Sequence, residues 1–252
     1  MTDAYESPLP SRGSVPPPPQ DRLPGMERIE DVPEWRVPAS QGLLGLLLAT
    51  VATFVLAGIL AVAFGATGDD SGDDHAFQFV ATFAGDAALV LSAYFIVARF
   101  GRPTPATFGF RSFRPSAFGW VALAFVSYLV LAAIYTVIVE PPAEDLPEQL
   151  GADESVLLAV VTGVFVVVVA PVVEELFFRG FLFQALRNSW GTVLGVLGSA
   201  AIFSFIHFAF DKFVPLFILG IALSLLFLKT RSLWPCIMLH AINNALAFAV
   251  SF

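Results

Sequence analysis

The sequence predicts an all-α, polytopic bundle of about seven transmembrane helices, and three observations carry that reading. Only 13% of the 252 residues are charged and 57% are hydrophobic, against roughly 25% charged in an ordinary soluble domain. Several apolar stretches have the length of ~20 residues that a helix needs to cross a hydrocarbon core of ~30 Å. The basic residues between those stretches fall on alternate connections, as in a chain that crosses a bilayer back and forth.

Residues 1–40 precede the first span. The run Ser14-Val15-Pro16-Pro17-Pro18-Pro19, with prolines at 8, 10, 24, 33 and 38, cannot hold a helix and supplies no core. It reads as a disordered, proline-rich cytosolic tail able to dock a proline-binding module. The first thirty residues contain no apolar stretch of the secretory-signal kind. The membrane domain then occupies 41–252, with apolar segments at 42–65, 76–98, 117–139, 155–173, 191–210, 213–229 and 232–251.

Charge orients these segments. Arg12, Arg22, Arg28 and Arg36 precede the first; Arg99, Arg102, Arg111 and Arg114 follow the second; Arg187 follows the fourth; Lys229 and Arg231 follow the sixth. Only Lys212 occupies an opposite connection, so the positive-inside rule predicts a cytoplasmic N-terminus and an outside C-terminus, in the plasma membrane. The acidic loops Asp69–Asp74 and Glu140–Glu154 then face outward. Arg111 and Arg114 fit an interfacial segment that holds anionic headgroups, which makes membrane lipids partners. No basic run resembles a nucleic-acid footprint, so that class of partner is excluded. Cys236 is the single cysteine; it reads as a small buried hydrophobe and allows neither an intrachain disulfide nor a cysteine metal cluster. The 26 phenylalanines are expected mainly to face lipid.

The fourth segment stays helix-compatible from Ser155 to Arg187, ~50 Å at 1.5 Å per residue, and Pro171 is expected to kink or break it. After that proline come Glu174, Glu175 and Arg179. A central Asp or Arg costs about 2.5–3.5 kcal/mol in a membrane span, so such residues are functional candidates by default. The others are Asp86 in the second segment, His207 in the fifth, and His240, Asn243 and Asn244 in the seventh.

Spacing sorts them. Glu175 and Arg179 are i,i+4 and pair on one face, leaving Glu174, 100° round the helix, to meet a different neighbour. His240 and Asn244 also share a face. Phe177, Phe178 and Phe181 are expected to desolvate Glu174. Counted from the basic ends, Glu174, His207, His240 and Asn244 come within about two helical turns of one depth, close enough to converge in one cavity. Such a set suits water attack on an amide: Glu174 takes the proton, His207 orients the water, and His240 with Asn244 binds the oxyanion. Glu174, His207 and His240 would also serve as three zinc ligands with one open position, although His-Glu-x-x-His is absent. A zinc-bound and a metal-free mechanism both fit. Asn243 and Asp86 read as interhelical hydrogen-bonding residues, with proton relay the second reading for Asp86.

At these residues the chain resembles the CAAX-protease and bacteriocin-processing family of membrane peptidases. Glu174, Glu175 and Arg179 match its Glu-Glu-x-x-x-Arg motif, Phe203 and His207 its Phe-x-x-x-His, and His240 and Asn244 its His-x-x-x-Asn. The resemblance covers a peptidase core at about 155–250. It implies that Glu174 and His207 activate water, that His240 and Asn244 form the oxyanion site, and that the substrate is a peptide or membrane protein, lipidated in the eukaryotic members. Two other classes remain beside it: a non-catalytic peptide-binding or bacteriocin self-immunity protein, and a proton-coupled transporter using Asp86, Glu174 and Arg179.

Overall fold

The computed structural model of this chain describes residues 37–65, 75–139 and 156–250. The proline-rich tail up to residue 36, its four arginines and both acidic loops lie outside the described residues.

Apolar composition forces the backbone to satisfy its own hydrogen bonds within the bilayer, so the described chain is helical almost throughout. The first helices are α1 (Ala39–Phe64) and α2 (His75–Ala98), then a short α3 (Pro105–Phe108) and α4 (Ser116–Val139). Thr104 caps α3 through its side chain, and Pro105 starts it. Next comes an apolar helical stretch of 50 residues, Val156–Phe205. It is built from α5 (Val156–Val164), a π turn (Phe165–Val169), α6 (Ala170–Phe177), a second π turn (Phe178–Leu182) and α7 (Phe183–Phe205). After a 3-10 turn, Phe210–Lys212, the chain ends in α8 (Phe213–Thr230) and α9 (Leu233–Val250).

A straight helix of that length would be ~75 Å long, more than twice the hydrocarbon thickness. Gly191 resolves this with φ 79°, ψ 175°, a backbone setting that only glycine adopts readily. The chain reverses there, and a Cβ at Gly195 would lie 2.9 Å from Arg187 Cα. Two antiparallel arms result, which gives the bundle the expected seven crossings. The break is not at Pro171. That residue opens α6 directly after the first π turn, where Ala170 N–H bonds to Phe165 O. A widened turn accommodates the missing N–H without interrupting the helix. The fourth segment therefore continues well past residue 173.

Lipid tails provide no hydrophobic drive between helices, so close approach through small residues holds the bundle together. A Cβ at Gly42 would meet Ala185 Cβ at 2.7 Å, one at Gly45 would meet Phe181 Cε1 at 2.7 Å, and one at Gly220 would meet Ala200 Cα at 2.9 Å. These contacts bring α1 and α8 onto the α6–α7 region. One core joins Ala93, Ile96 and Val97 of α2 to Phe177, Phe178, Phe181, Leu186 and Phe203. A second joins Phe183 to Val121, Leu219, Leu223 and Leu239. The segment carrying the two glutamates thus lies between two cores at the centre of the bundle. Phe177, Phe178, Phe183 and Phe203 are fully buried, contrary to the expectation that phenylalanines face lipid. Phe54, Phe83 and Phe95 do lie on the outer surface. Cys236 is buried and free, as expected.

Candidate functional site

Five polar side chains, from α6, the second π turn, the connection after α7 and α9, meet at mid-bundle. Glu175 Oε1 accepts from Arg179 Nη1 at 2.9 Å, one helical turn on, and from His240 Nδ1–H at 2.9 Å across to α9. Glu175 and Arg179 have side chains 0% exposed and His240 4%. Such a charge is held only when it is paired and hydrogen-bonded. Arg179 has two further supports: its Nη2 donates to Gly220 O at 3.4 Å, and the Phe203 ring lies 4.5 Å from its guanidinium carbon. Phe178, one of the three phenylalanines expected to desolvate Glu174, thus packs over Arg179, as does Phe203.

Glu174 points elsewhere, as its 100° offset requires. Its Oε2 lies 3.8 Å from His207 Nε2 and 3.8 Å from His240 Nε2. That oxygen has no hydrogen-bond partner among the described residues. A separation of 3.8 Å is too long for a direct hydrogen bond, and a water molecule between the groups can bond to both. Sequence spacing allowed for a two-turn mismatch in depth; the residues in fact converge.

The tautomers follow from the partners. His207 Nδ1 lies 2.7 Å from Phe203 O. A carbonyl only accepts, so Nδ1 carries a proton, and in the neutral ring Nε2 turns its lone pair toward Glu174. His207 stands just past the end of α7, and the next residue, Phe208, takes φ 52°. A non-glycine residue in the left-handed region is disfavoured by about 1–2 kcal/mol, and here it turns the chain away immediately beyond the imidazole. At His240 the Nδ1–H donates to the buried Glu175 carboxylate, which fixes the orientation of the ring. With His240 protonated, the formal charges of Glu174, Glu175, Arg179 and His240 cancel.

Asn244 follows one turn after His240, and its Nδ2 donates to Val166 O at 2.9 Å in the first π turn. Asn243 bonds to its neighbour Asn244 at 3.4 Å, so the interhelical bond expected of Asn243 is made by Asn244. Asp86 has a buried Oδ2 without a hydrogen-bond partner among the described residues, so the interhelical bond expected there is not made by that oxygen. It lies level with Glu174. Phe79 packs against Phe165 at 6.4 Å, and Ile96 meets Phe181 beside Gly45. These two pins bracket both carboxyls, and Asp86 feels the charge of Glu174. Gly220, Ser199 (to Phe178 O, 3.4 Å) and Val166 support the site but had no motif to reveal them. Among the described residues, no group of three His, Cys, Asp or Glu is arranged to hold a metal ion.

The geometry can be set beside known proteins. Residues 156–246 match the family described as type II CAAX prenyl endopeptidase Rce1-like. An uncharacterized 24.3 kDa protein of Escherichia coli is 25% identical over 157 residues, 60% of this chain and 70% of that relative. No solved structure matches.

Proposed function

We propose that this chain, which carries a CAAX-protease domain of the Rce1-like type over residues 156–246, is an intramembrane endopeptidase that hydrolyses a peptide bond with activated water. The observation that carries the proposal is the position of Glu174 Oε2, 3.8 Å from both histidine Nε2 atoms. A water held there donates one hydrogen to Glu174 and one to His207 Nε2. Its remaining lone pair is then free for the substrate carbonyl carbon.

As the new C–O bond forms, the water proton passes to Glu174 and negative charge gathers on the former carbonyl oxygen. His240 in its protonated form donates from Nε2 to that oxyanion, and the second N–H of Asn244 is available to do the same. Glu174 returns its proton to the departing amine as the C–N bond breaks. Glu175 and Arg179 do not touch the reacting atoms in this scheme; they hold His240 in its tautomer and orientation. No serine or cysteine nucleophile enters, so no acyl-enzyme forms.

The proposed substrate is a peptide or membrane protein, lipidated at the cleaved end. Entry is supported by the length of the α7 arm. From Thr192 to Phe205 it measures ~21 Å, short of the ~30 Å hydrocarbon core. The connection bearing His207 is therefore sunk below the membrane surface, and a water-filled funnel can reach it. The His207 side chain is 30% exposed and that of Glu174 18%. The proposed orientation keeps the N-terminus cytoplasmic and the C-terminus outside, in the plasma membrane. It rests on the basic rim at the far end of the bundle, and it opens the funnel away from the cytoplasm.

Comparative profiling of protein termini in membranes from cells carrying wild type or Glu174→Ala tests this reading. New N- and C-termini that appear with wild type and vanish with the variant are expected. Identical termini, with both proteins inserted equally, would count against peptide hydrolysis.

A further inference from the structure

The first π turn frees one backbone carbonyl, and the side chain that takes it belongs to the candidate site. In that turn Ala170 N–H bonds to Phe165 O, five residues back. At the same step the donor for Val166 O would be residue 171, which is proline and has no N–H. The ordinary four-residue step offers Val166 O only Ala170 N–H, which serves Phe165 O instead. Pro171 thus releases the Val166 carbonyl from its own helix. A carbonyl released inside a membrane costs several kcal/mol unless a neighbour supplies a donor. Asn244 of α9 is that neighbour: its Nδ2–H donates to Val166 O at 2.9 Å.

This bond decides how the Asn244 amide is turned. A carbonyl only accepts, so the end of the amide facing Val166 is Nδ2 and not Oδ1. Oδ1 then accepts from Asn243 Nδ2 at 3.4 Å. The amide is planar, so committing one Nδ2–H to Val166 O also fixes the direction of the other. Contacts one turn to either side hold the α9 backbone. His240 Nδ1–H donates to Glu175 Oε1 at 2.9 Å, and the Phe248 ring lies on Gly163, where a Cβ would be 3.1 Å from it. Neither contact chooses between the two ways round for the Asn244 amide. The freed carbonyl makes that choice.

We infer that Pro171 is a positioning residue for Asn244: by withholding an N–H it keeps Val166 O open to the Asn244 amide and fixes which end serves the reaction. Its effect on turnover rests on the peptidase reading; the hydrogen bond itself does not. Pro171 lies one turn before Glu174, so one stretch of chain carries the base and the device that orients an oxyanion donor across the site. Alanine at 171 would restore an N–H directed along the helix toward Val166 O, in competition with Asn244. The amide would then turn both ways, and the oxyanion would lose a preorganised donor. That donor acts on charge present only in the transition state, so the loss falls on kcat and leaves KM unchanged.

The test is a double-mutant cycle on the full-length protein in nanodiscs, with a lipidated peptide as probe. Alanine favours helix, so Pro171→Ala is expected to fold; it should lower kcat by about 10–100-fold at unchanged KM. Asn244→Ala removes the donor and should cost about 10²–10³ in kcat. Adding Pro171→Ala to Asn244→Ala should cost nothing more, because Pro171 acts through Asn244. Losses that multiply in the double variant would overturn the inference and leave Pro171 a general support of the fold. A second measurement needs no activity: nuclear magnetic resonance of the side-chain amides in protein labelled with nitrogen-15 asparagine. The chain has asparagines only at 188, 243 and 244, and Asn244→Ala identifies the signals of Asn244. Wild type should show one Nδ2 proton of Asn244 shifted downfield and slow to exchange with water, and Pro171→Ala should lose both features. A wild type without such a proton, or a variant that keeps it, would overturn the inference. A wild type that cleaves nothing would refute the peptidase reading, and the amide signals would still decide whether Pro171 orients Asn244.

Discussion

Glu174 and Glu175 are adjacent in sequence and differ in what holds them. Glu175 has two donors on one oxygen and is closed to solvent, whereas Glu174 Oε2 faces two imidazoles at 3.8 Å. Substitutions should separate these roles. Glu174→Gln removes the base and should lower kcat by about 10²–10⁴-fold while leaving the thermal unfolding transition in detergent unchanged. Glu175→Ala strands the buried Arg179 charge and should cost about 3–5 kcal/mol of stability, seen as a lower transition and a poor folded yield. Asp86→Asn should cost less than ~10-fold in turnover, since proton transfer through Glu174 does not require Asp86; a loss matching that of Glu174→Gln would instead put Asp86 in the proton path of the reaction. The motif residues were legible in the sequence because ionisable groups are rare in apolar spans and their i,i+4 spacing reports shared faces. The Arg179 environment was not legible. Phe178, Phe203 and Gly220 reach it from three elements, and helical periodicity says nothing about which helices meet.

Helix breaks decide how these groups come together. Proline is the usual suspect, and Pro171 was the expected break, yet the π turn ahead of it absorbs the missing donor and Gly191 makes the reversal. A single glycine between Trp190 and Thr192 gives little local signal, because positive φ is a property of the folded backbone. Gly191→Ala should therefore destabilise the α7 hairpin by about 1–2 kcal/mol, readable in thermal unfolding. Gly220→Ala tests helix approach as well. The added methyl would meet Ala200 Cα and Cβ at 2.9 Å, where backbone cannot easily yield. We expect a loss of about 1–3 kcal/mol from overpacking. Turnover should fall with it, because Arg179 bonds to the Gly220 carbonyl that would move.

The whole molecule was the most legible scale. Apolar run lengths and low charge predicted a seven-crossing bundle, and the expected segments appear with shifted ends where the fourth continues to Gly191. Orientation remains with the basic residues and is open to labelling: in a Cys236→Ser background, Phe208→Cys should react with an impermeant maleimide from outside and Arg114→Cys only after permeabilisation. The most direct test of the central claim is hydrolysis of a lipidated peptide by the purified protein in nanodiscs, in water enriched with oxygen-18. Wild type is expected to cleave the peptide and place one oxygen-18 atom in the new carboxyl group, while Glu174→Gln, equally folded, leaves the peptide intact. Unimpaired cleavage by Glu174→Gln would contradict the assignment of Glu174 as the base that activates water.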